Sequence, residues 1–213
     1  MKKFAAVLAS IAIFFALFSG AAVPAPAGNF PNPGDPRIIR VEYKEAAFYE
    51  SVGTAFRVGP HYWLTAAHVV TTGDGKQLAR VAALKGLAIK TFDVVKVDPK
   101  TDTALLYDPE ESDNYFSIAE KPTSGPVKGI GYPGSIIKPC SVFLSYKTTQ
   151  ATHYAAYKIA RADFYDGDIW GGYSGGPAVD SSGKVAGMLV CGDDDNHSGA
   201  IPARTLIDFM KGE

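Results

Sequence analysis

From Arg37 onward the sequence is divided into short β-type runs by glycine, proline and aspartate. The 213 residues include 22 glycines and 14 prolines, which is the punctuation expected when many short strands are joined by tight turns. No internal repeat or low-complexity tract interrupts this pattern. It predicts mainly antiparallel β-barrels or sandwiches, and the length fits one compact unit of two similar halves.

Runs that alternate or are rich in β-branched residues predict the individual strands. They cover residues 38–43, 53–58, 63–65, 81–84, 93–97, 127–131, 141–146, 152–159, 176–179 and 185–191. Two stretches have helical character, residues 66–71 and 203–211. In the second stretch Leu206, Phe209 and Met210 are expected to share one face that docks on the barrels.

The N-terminal residues resemble a secretory signal. Lys2 and Lys3 precede an apolar run over residues 4–18, and small residues follow it. The run is short for a membrane span, which needs about 20 residues, so we predict a cleaved signal with an uncleaved anchor as the alternative. Cleavage would leave a protein outside the cytoplasm with no stable membrane span.

Changes in composition along the sequence predict where the segments of the chain begin and end. We predict a signal peptide over 1–27 with an uncertain cut site, a flexible N-terminus over 28–36 and a polar connector over 120–126. The connector separates a first half, 37–119, from a second half, 127–202, and a C-terminal helix occupies 203–213. The net charge of −1 gives no electrostatic reason to expect nucleic acid or an anionic membrane as a partner.

A segment with the sequence WGGYSGGP surrounds Ser174 with four glycines. It is either a tight surface turn or a place where the backbone must come close to a reacting group. The N–H groups of Gly172 and Ser174 can form an oxyanion hole if Gly172 adopts a conformation barred to residues with a Cβ. Gly175 and Gly176 are expected to keep the approach of a substrate clear.

A serine needs a base, and a base works best when a third group orients it. Of the four histidines, His68 lies in LTAAHVV, where small neighbours let a side chain project into a cleft. His61 follows a proline in a polar turn, and His197 lies in a polar segment interpreted as a solvated loop. His68 on its own is equally compatible with a core or capping role.

The candidate carboxylate is Asp102, which directly precedes an apolar run and so can be drawn inward. Asp98 precedes a proline and is interpreted as a turn residue. Asp102 by itself also fits a turn or cap.

Taken together, TAAHVV, DTALL and GYSGGP resemble the three signature segments of chymotrypsin-like serine peptidases. Their separations, 34 residues from 68 to 102 and 72 from 102 to 174, are similar to those of compact bacterial and Deg-type exported members. The resemblance implies two six-stranded antiparallel barrels with a short C-terminal helix. It implies His68 as general base, Asp102 as its orienting group and Ser174 as nucleophile, with Gly172 and Ser174 forming the oxyanion hole and no metal or cofactor.

The chain departs from the digestive members of that family. They carry an aspartate before the serine that pairs with a freed N-terminus, whereas this chain has Tyr173. Other contacts must therefore hold the oxyanion loop, which is the segment of residues 170–177 that carries Gly172 and Ser174. Cys140 and Cys191 are the two cysteines of the chain, and their sequence positions leave open whether they pair or lie apart as small buried residues.

Specificity is less constrained by the sequence. Asp168 lies six residues before Ser174, the offset at which trypsin-like members bind a basic side chain, and residues 193–195 are three further aspartates. Asp168 also fits a turn residue, and residues 193–195 also fit a solvated loop or a weak cation site. The resemblance implies an extended polypeptide substrate paired with strand 185–191, with Val190, Cys191 and Gly192 in contact with it. A non-catalytic binding protein and an esterase on the same fold remain the alternatives.

Overall fold

The computed structural model describes residues 26–45, 48–85, 88–121, 124–134, 138–150, 162–192 and 197–212. Within these ranges the chain forms twelve strands, a short 3-10 helix and one α-helix. The strands form two closed barrels of six antiparallel strands each. The predicted fold class is therefore confirmed.

The first barrel has the strand order β1-β2-β3-β6-β5-β4. Its strands are β1 (Ile38–Glu45), β2 (Phe48–Arg57), β3 (Tyr62–Ala66), β4 (Arg80–Lys85), β5 (Ala88–Asp98) and β6 (Thr103–Tyr107). The 3-10 helix, Ala67–Val70, follows β3 directly. Strand β6 was not predicted, because its five residues are a short apolar run that periodicity alone does not assign.

The second barrel has the order β10-β11-β12-β9-β8-β7. Its strands are β7 (Pro126–Gly131), β8 (Cys140–Gln150), β9 (Ala162–Asp166), β10 (Pro177–Val179), β11 (Val185–Gly192) and β12 (His197–Pro202). The strand predicted over 152–159 lies outside the described residues. Strands β9 and β12 were not predicted. Strand β9, ADFYD, contains two aspartates, and strand β12, HSGAIP, has few residues with high β propensity. His197, interpreted as a loop residue, begins β12.

One cluster of buried apolar side chains runs from the first barrel across the junction into the second. Phe56, Leu64 and Leu106 belong to the first barrel, Met188 and Ile201 belong to the second, and all five are fully buried. Such close-packed interiors resist deformation. Side chains at the junction between the barrels are therefore supported by a rigid, closely packed core.

Helix α1 (Ala203–Lys211) has the predicted bounds and ends at Gly212. Ala203, Leu206 and Phe209 form its buried face, whereas Met210 is 37% exposed. Met210 lies on the expected side of the helix, between Ala203 and Leu206 in angle, but it is in the last turn and borders an open depression lined by first-barrel residues, so it stays partly exposed. The helix contacts β11, β12 and β6, so it touches both barrels.

The segment before β1 makes defined contacts, although its composition predicts flexibility. Phe30 packs edge-to-face on Phe143 of β8 with ring centroids 5.1 Å apart. The Asn29 N–H donates to the Ser181 carbonyl at 2.8 Å. The guanidinium of Arg37 lies 3.8 Å from the centre of the Phe116 ring. A half-buried aromatic side chain packed on the barrel supplies the anchor that a count of Pro, Ala and Gly does not reveal.

Candidate active site

The strand register brings Asp102 beside His68. Strand β3 pairs with β6 so that Ala66 lies opposite Thr103, and the residue before Thr103 therefore meets the residues after Ala66. The Ala67 N–H donates to the Asp102 carbonyl at 3.0 Å, and the His68 N–H donates to Asp102 Oδ1 at 2.9 Å. His68 Nδ1 lies 2.7 Å from Asp102 Oδ2. The imidazole is therefore oriented by an aspartate whose second carboxylate oxygen and whose backbone carbonyl are both held by neighbouring N–H groups.

Asp102 adopts an unusual backbone conformation. It is the non-glycine residue with a positive φ in the described part of the chain, at 51°. The left-handed region costs most residues about 1–2 kcal/mol, although aspartate tolerates it better than most. The side chain is 4% exposed. The surrounding hydrogen bonds over-determine this conformation, and it aims both carboxylate oxygens at a single histidine.

The other candidate acid and base groups serve turns. Asp98 accepts hydrogen bonds from the Lys100 N–H at 2.9 Å and the Thr101 hydroxyl at 2.8 Å, which confirms its interpretation as a turn residue. His61 Nδ1 lies 3.1 Å from the Asp108 carbonyl oxygen, in the turn between β2 and β3. Neither forms a pair like that of His68 with Asp102.

The segment that carries Ser174 lies between the two barrels. Its carbonyl accepts from the Thr54 N–H of β2 at 2.8 Å, and the next N–H, of Gly175, donates to the Leu189 carbonyl of β11 at 2.7 Å. A Cβ on Gly175 would lie 2.8 Å from the N of Ala66, two residues before His68. The serine segment is thus packed against the chain that carries the imidazole. The Ser174 hydroxyl itself is half-buried and donates to the Val190 carbonyl at 3.2 Å.

Gly172 has the conformation that the oxyanion hypothesis requires, with φ of 101°. A Cβ there would overlap the Tyr132 carbonyl oxygen and lie 2.8 Å from the N of Gly134. The expectation for Gly175 and Gly176 was wrong. Both are buried, and a Cβ on either would strike the carbonyl oxygen of Thr54 or Ile130, so these glycines admit the protein's own backbone rather than a substrate.

Tyr173 supplies packing where digestive relatives have an aspartate. Its side chain is 1% exposed, and its ring meets the Trp170 ring edge-to-face at 5.4 Å between centroids. Burial, with a smaller contribution from the neighbouring Cys140, raises the pKa of Tyr173 to about 12. Cys140 is a half-buried free cysteine. Burial and ring packing therefore hold position 173, where the sequence comparison with digestive members led us to expect contacts other than an ion pair.

Thr54, which is fully buried in β2, was not among the residues that the sequence indicated. Its hydroxyl donates to the Gly172 carbonyl at 2.7 Å and accepts from the Tyr132 N–H at 3.0 Å. The available signal was a polar side chain two residues before Phe56, on the same face of a strand that points into the core. Buried hydroxyls need partners, and here the partners lie in the other barrel.

The residues predicted to bind substrate lie around the end of β11. Val190 is buried, and its carbonyl accepts from Ser174. Cys191 and Gly192 end the strand, and a Cβ on Gly192 would overlap the Ile169 carbonyl oxygen. Asp168 is exposed rather than seated on the floor of a closed pocket. Residues 193–195 lie outside the described residues.

A depression of about 650 Å³ opens beside His68 and Asp102. First-barrel residues line it, among them Thr71, Gln77 and Val97. The histidine side chain keeps 26% of its surface exposed, whereas Asp102 is nearly covered. An incoming group can therefore reach the imidazole while the carboxylate behind it stays shielded from water.

Two six-stranded barrels, with histidine, aspartate and serine segments in this order along the chain, define the class of chymotrypsin-like serine peptidases. The chain belongs to the trypsin-like peptidase domain family, which it matches over residues 53–188, more than half its length.

Relatives and solved structures are similar to the chain over most of its length. It is 28% identical to serine protease Rv3671c of Mycobacterium tuberculosis over 144 residues, which cover 64% of this chain and 35% of that protein. It thus spans about a third of that curated relative. The crystal structure of the active form of the Rv3671c protease superposes with a TM-score of 0.70 at 21% identity, covering 88% of this chain and 90% of that one. The structure of the HtrA-type protease AlgW with a tripeptide superposes with a TM-score of 0.68 at 20% identity, and the match covers 83% of this chain and 60% of that one. These two likenesses establish the shared fold.

Among the described residues no helix is both long and apolar enough to cross a bilayer. In the same ranges, no three histidine, cysteine, aspartate or glutamate side chains are grouped so that they could hold a metal ion.

Proposed function

We propose that this chain is an exported serine endopeptidase that hydrolyses peptide bonds through an acyl-enzyme on Ser174. The hydrogen bond of 2.7 Å between His68 Nδ1 and Asp102 Oδ2 carries the proposal. When the Nδ1–H group donates a hydrogen bond to the carboxylate, the neutral imidazole presents the lone pair of Nε2 as a base.

Acylation begins with the Ser174 hydroxyl. It must leave the Val190 carbonyl, its partner in the resting structure, and turn to His68 Nε2. As the serine oxygen forms a bond to the substrate carbonyl carbon, Nε2 takes the hydroxyl proton and the carbonyl oxygen becomes an oxyanion. The imidazolium then gives that proton to the amide nitrogen as the C–N bond breaks, and the amine leaves.

Deacylation repeats these steps with water. His68 takes a proton from the water as its oxygen bonds to the acyl carbon, and returns the proton to the Ser174 oxygen as the ester bond breaks. The N–H groups of Gly172 and Ser174 stabilise the oxyanion in both stages. A single donor of this kind is worth about 10²–10³ in kcat.

The substrate docks as an extended strand on β11. Strand β10 pairs with β11 as far as Met188, opposite Pro177, so the backbone of Val190, Cys191 and Gly192 extends past the end of that pairing. An added strand gains main-chain hydrogen bonds there, and the position leads directly to Ser174. Asp168, six residues before Ser174, is exposed, and we propose that its carboxylate attracts a basic side chain of the substrate.

Export rests on the N-terminal pattern of residues 1–27, two lysines followed by an apolar run and small residues. We expect the signal to be removed and the peptidase to act outside the cytoplasm. N-terminal sequencing of the exported protein tests this directly, with a first residue near position 28 as the expected result.

The test of activity is digestion of a denatured protein by the purified protein, with mass spectrometry of the products. The wild type should generate peptides, whereas Ser174→Ala and His68→Ala should generate none above background. His61→Ala serves as a matched control, because His61 lies in a turn and should leave cleavage unchanged. Equal cleavage by Ser174→Ala and the wild type would contradict the proposal, as would turnover of activated esters without any cut peptide bond.

A further inference from the structure

Thr54 makes four hydrogen bonds, and three of them link the first barrel to the second. Its N–H donates to the Ser174 carbonyl at 2.8 Å, and its hydroxyl donates to the Gly172 carbonyl at 2.7 Å. The hydroxyl also accepts from the Tyr132 N–H, and the Thr54 carbonyl accepts from the Thr65 hydroxyl at 2.7 Å. The side chain is fully buried. Every polar group of this residue is therefore hydrogen-bonded, and its N–H and hydroxyl bond across the junction.

These bonds bracket one oxyanion donor. The two carbonyls held by Thr54 belong to Gly172 and Ser174, and the peptide bond between Tyr173 and Ser174 lies between them. That peptide bond carries the Ser174 N–H. Because both neighbouring peptide planes are held by hydrogen bonds, the direction of the N–H between them is fixed as well.

The same hydroxyl reaches the second donor indirectly. The N–H of Gly172 belongs to the peptide bond whose carbonyl is that of Gly171, and this carbonyl accepts from the Gly134 N–H at 2.7 Å. Gly134 follows Tyr132 by two residues, and the Tyr132 N–H is held by the Thr54 hydroxyl. One hydroxyl therefore braces both sides of the oxyanion loop.

We infer that Thr54 is a positioning residue of the oxyanion hole, acting across the barrel junction through its hydroxyl. The inference rests on the proposed function and adds a residue to it. The role needs a group that donates and accepts at once, which serine can supply and valine cannot. It also explains how this loop is held without an aspartate at position 173.

The experiment compares Thr54→Val with Thr54→Ser in the full chain. Thr54→Val keeps the shape of the side chain and removes the hydroxyl, and we expect kcat on a peptide taken from the digest to fall about 100-fold while KM changes little. The rate of labelling by a fluorophosphonate, whose phosphoryl oxygen also occupies the oxyanion hole, should fall in parallel. Thr54→Ser should retain most of both rates. Circular dichroism and thermal unfolding report whether each variant is folded.

Two further variants keep the inference open to contradiction. Thr205→Val is a matched control, because Thr205 is a half-buried threonine of α1 and lies outside the segments that carry Ser174 and His68. It should leave kcat within about threefold of the wild type. If Thr54→Val does not fold, Thr54→Cys replaces it, since a thiol is a weak donor and acceptor and should lower kcat about tenfold.

The outcomes separate this role from the proposed function. A wild type that labels normally, beside a folded Thr54→Val with unchanged kcat, contradicts the role of Thr54 alone. So does a serine variant as slow as the valine variant, or a Thr205→Val variant that loses as much. A wild type that neither labels nor cleaves contradicts the proposed function, and the inference falls with it.

Discussion

Both carboxylate oxygens of Asp102 are bonded to one residue, His68, with Oδ2 at 2.7 Å from the ring Nδ1 and Oδ1 at 2.9 Å from the backbone N. The ring position is thus tied to the backbone of the 3-10 helix that carries it. A base held in this way needs no reorganisation before it accepts a proton.

Replacing the carboxylate tests that relationship. Asp102→Asn should keep the fold, since asparagine tolerates the left-handed φ of 51° as aspartate does. The amide stabilises the wrong imidazole tautomer, so kcat should fall about 10⁴-fold. Asp98→Asn is the matched control, because that aspartate caps a turn, and it should keep nearly full activity. Near-normal turnover by Asp102→Asn would contradict the orienting role.

The backbone geometry of the oxyanion loop leads us to expect different effects from alanine at the adjacent positions Gly171 and Gly172. Gly172→Ala places a Cβ against the Tyr132 carbonyl at a φ of 101°, and the backbone cost alone is about 1–3 kcal/mol. We expect a lower thermal midpoint and a large loss of fluorophosphonate labelling. Gly171→Ala meets no atom within 4 Å and should change neither measurement appreciably. Equal effects of the two substitutions would exclude the proposed strain.

Burial of Tyr173 predicts a pH dependence of stability. Its pKa is raised from 10.0 to about 12, so the folded state holds the phenol proton more tightly than the unfolded state does. The associated stability is fully present below pH 10 and is lost as the pH rises through about 12. Urea unfolding between pH 8 and 11.5 should therefore show a steeper decline for the wild type than for Tyr173→Phe. Burial also raises the pKa of Tyr132 and Tyr165, so a residual decline should persist. Identical slopes for the two proteins would contradict the assignment.

Lys96 links the C-terminal helix to the first barrel. Its ammonium donates to the Phe209 carbonyl in the last turn of α1 and lies 4.4 Å from the centre of the Phe209 ring. A cation at a helix C-terminus and over an aromatic face stabilises by about 1 kcal/mol. Lys96→Met should lower the free energy of unfolding by roughly that amount. Lys100→Met, at an exposed position, should lower it by less than about 0.5 kcal/mol, and a difference of the opposite sign would overturn this assignment.

The features that the sequence predicted are those that local chemistry determines. Gly172 was expected in a conformation barred to other residues because four glycines around one serine require a backbone reason, and the structure has it there. The bounds of α1 followed from its apolar spacing. Asp98 was identified as a turn residue from the proline that follows it.

What the sequence did not reveal depends on contacts between distant segments. The hydrogen bonds of Thr54 join residues 78 and 118 positions apart, and no local pattern records such partners. The positive φ of Asp102 follows from the register of β3 against β6. Met210 lies on the expected side of α1 but stays partly exposed, because it falls in the last turn beside an open depression, and no periodicity in the sequence reveals that.

The most direct test of the central claim is the site of covalent labelling. The protein is treated with a fluorophosphonate, digested with an unrelated protease, and its adduct is located by tandem mass spectrometry. We predict one modified residue, Ser174, with labelling abolished in His68→Ala although the serine is intact. An adduct on another residue, or labelling of Ser174 that is independent of His68, would contradict the account.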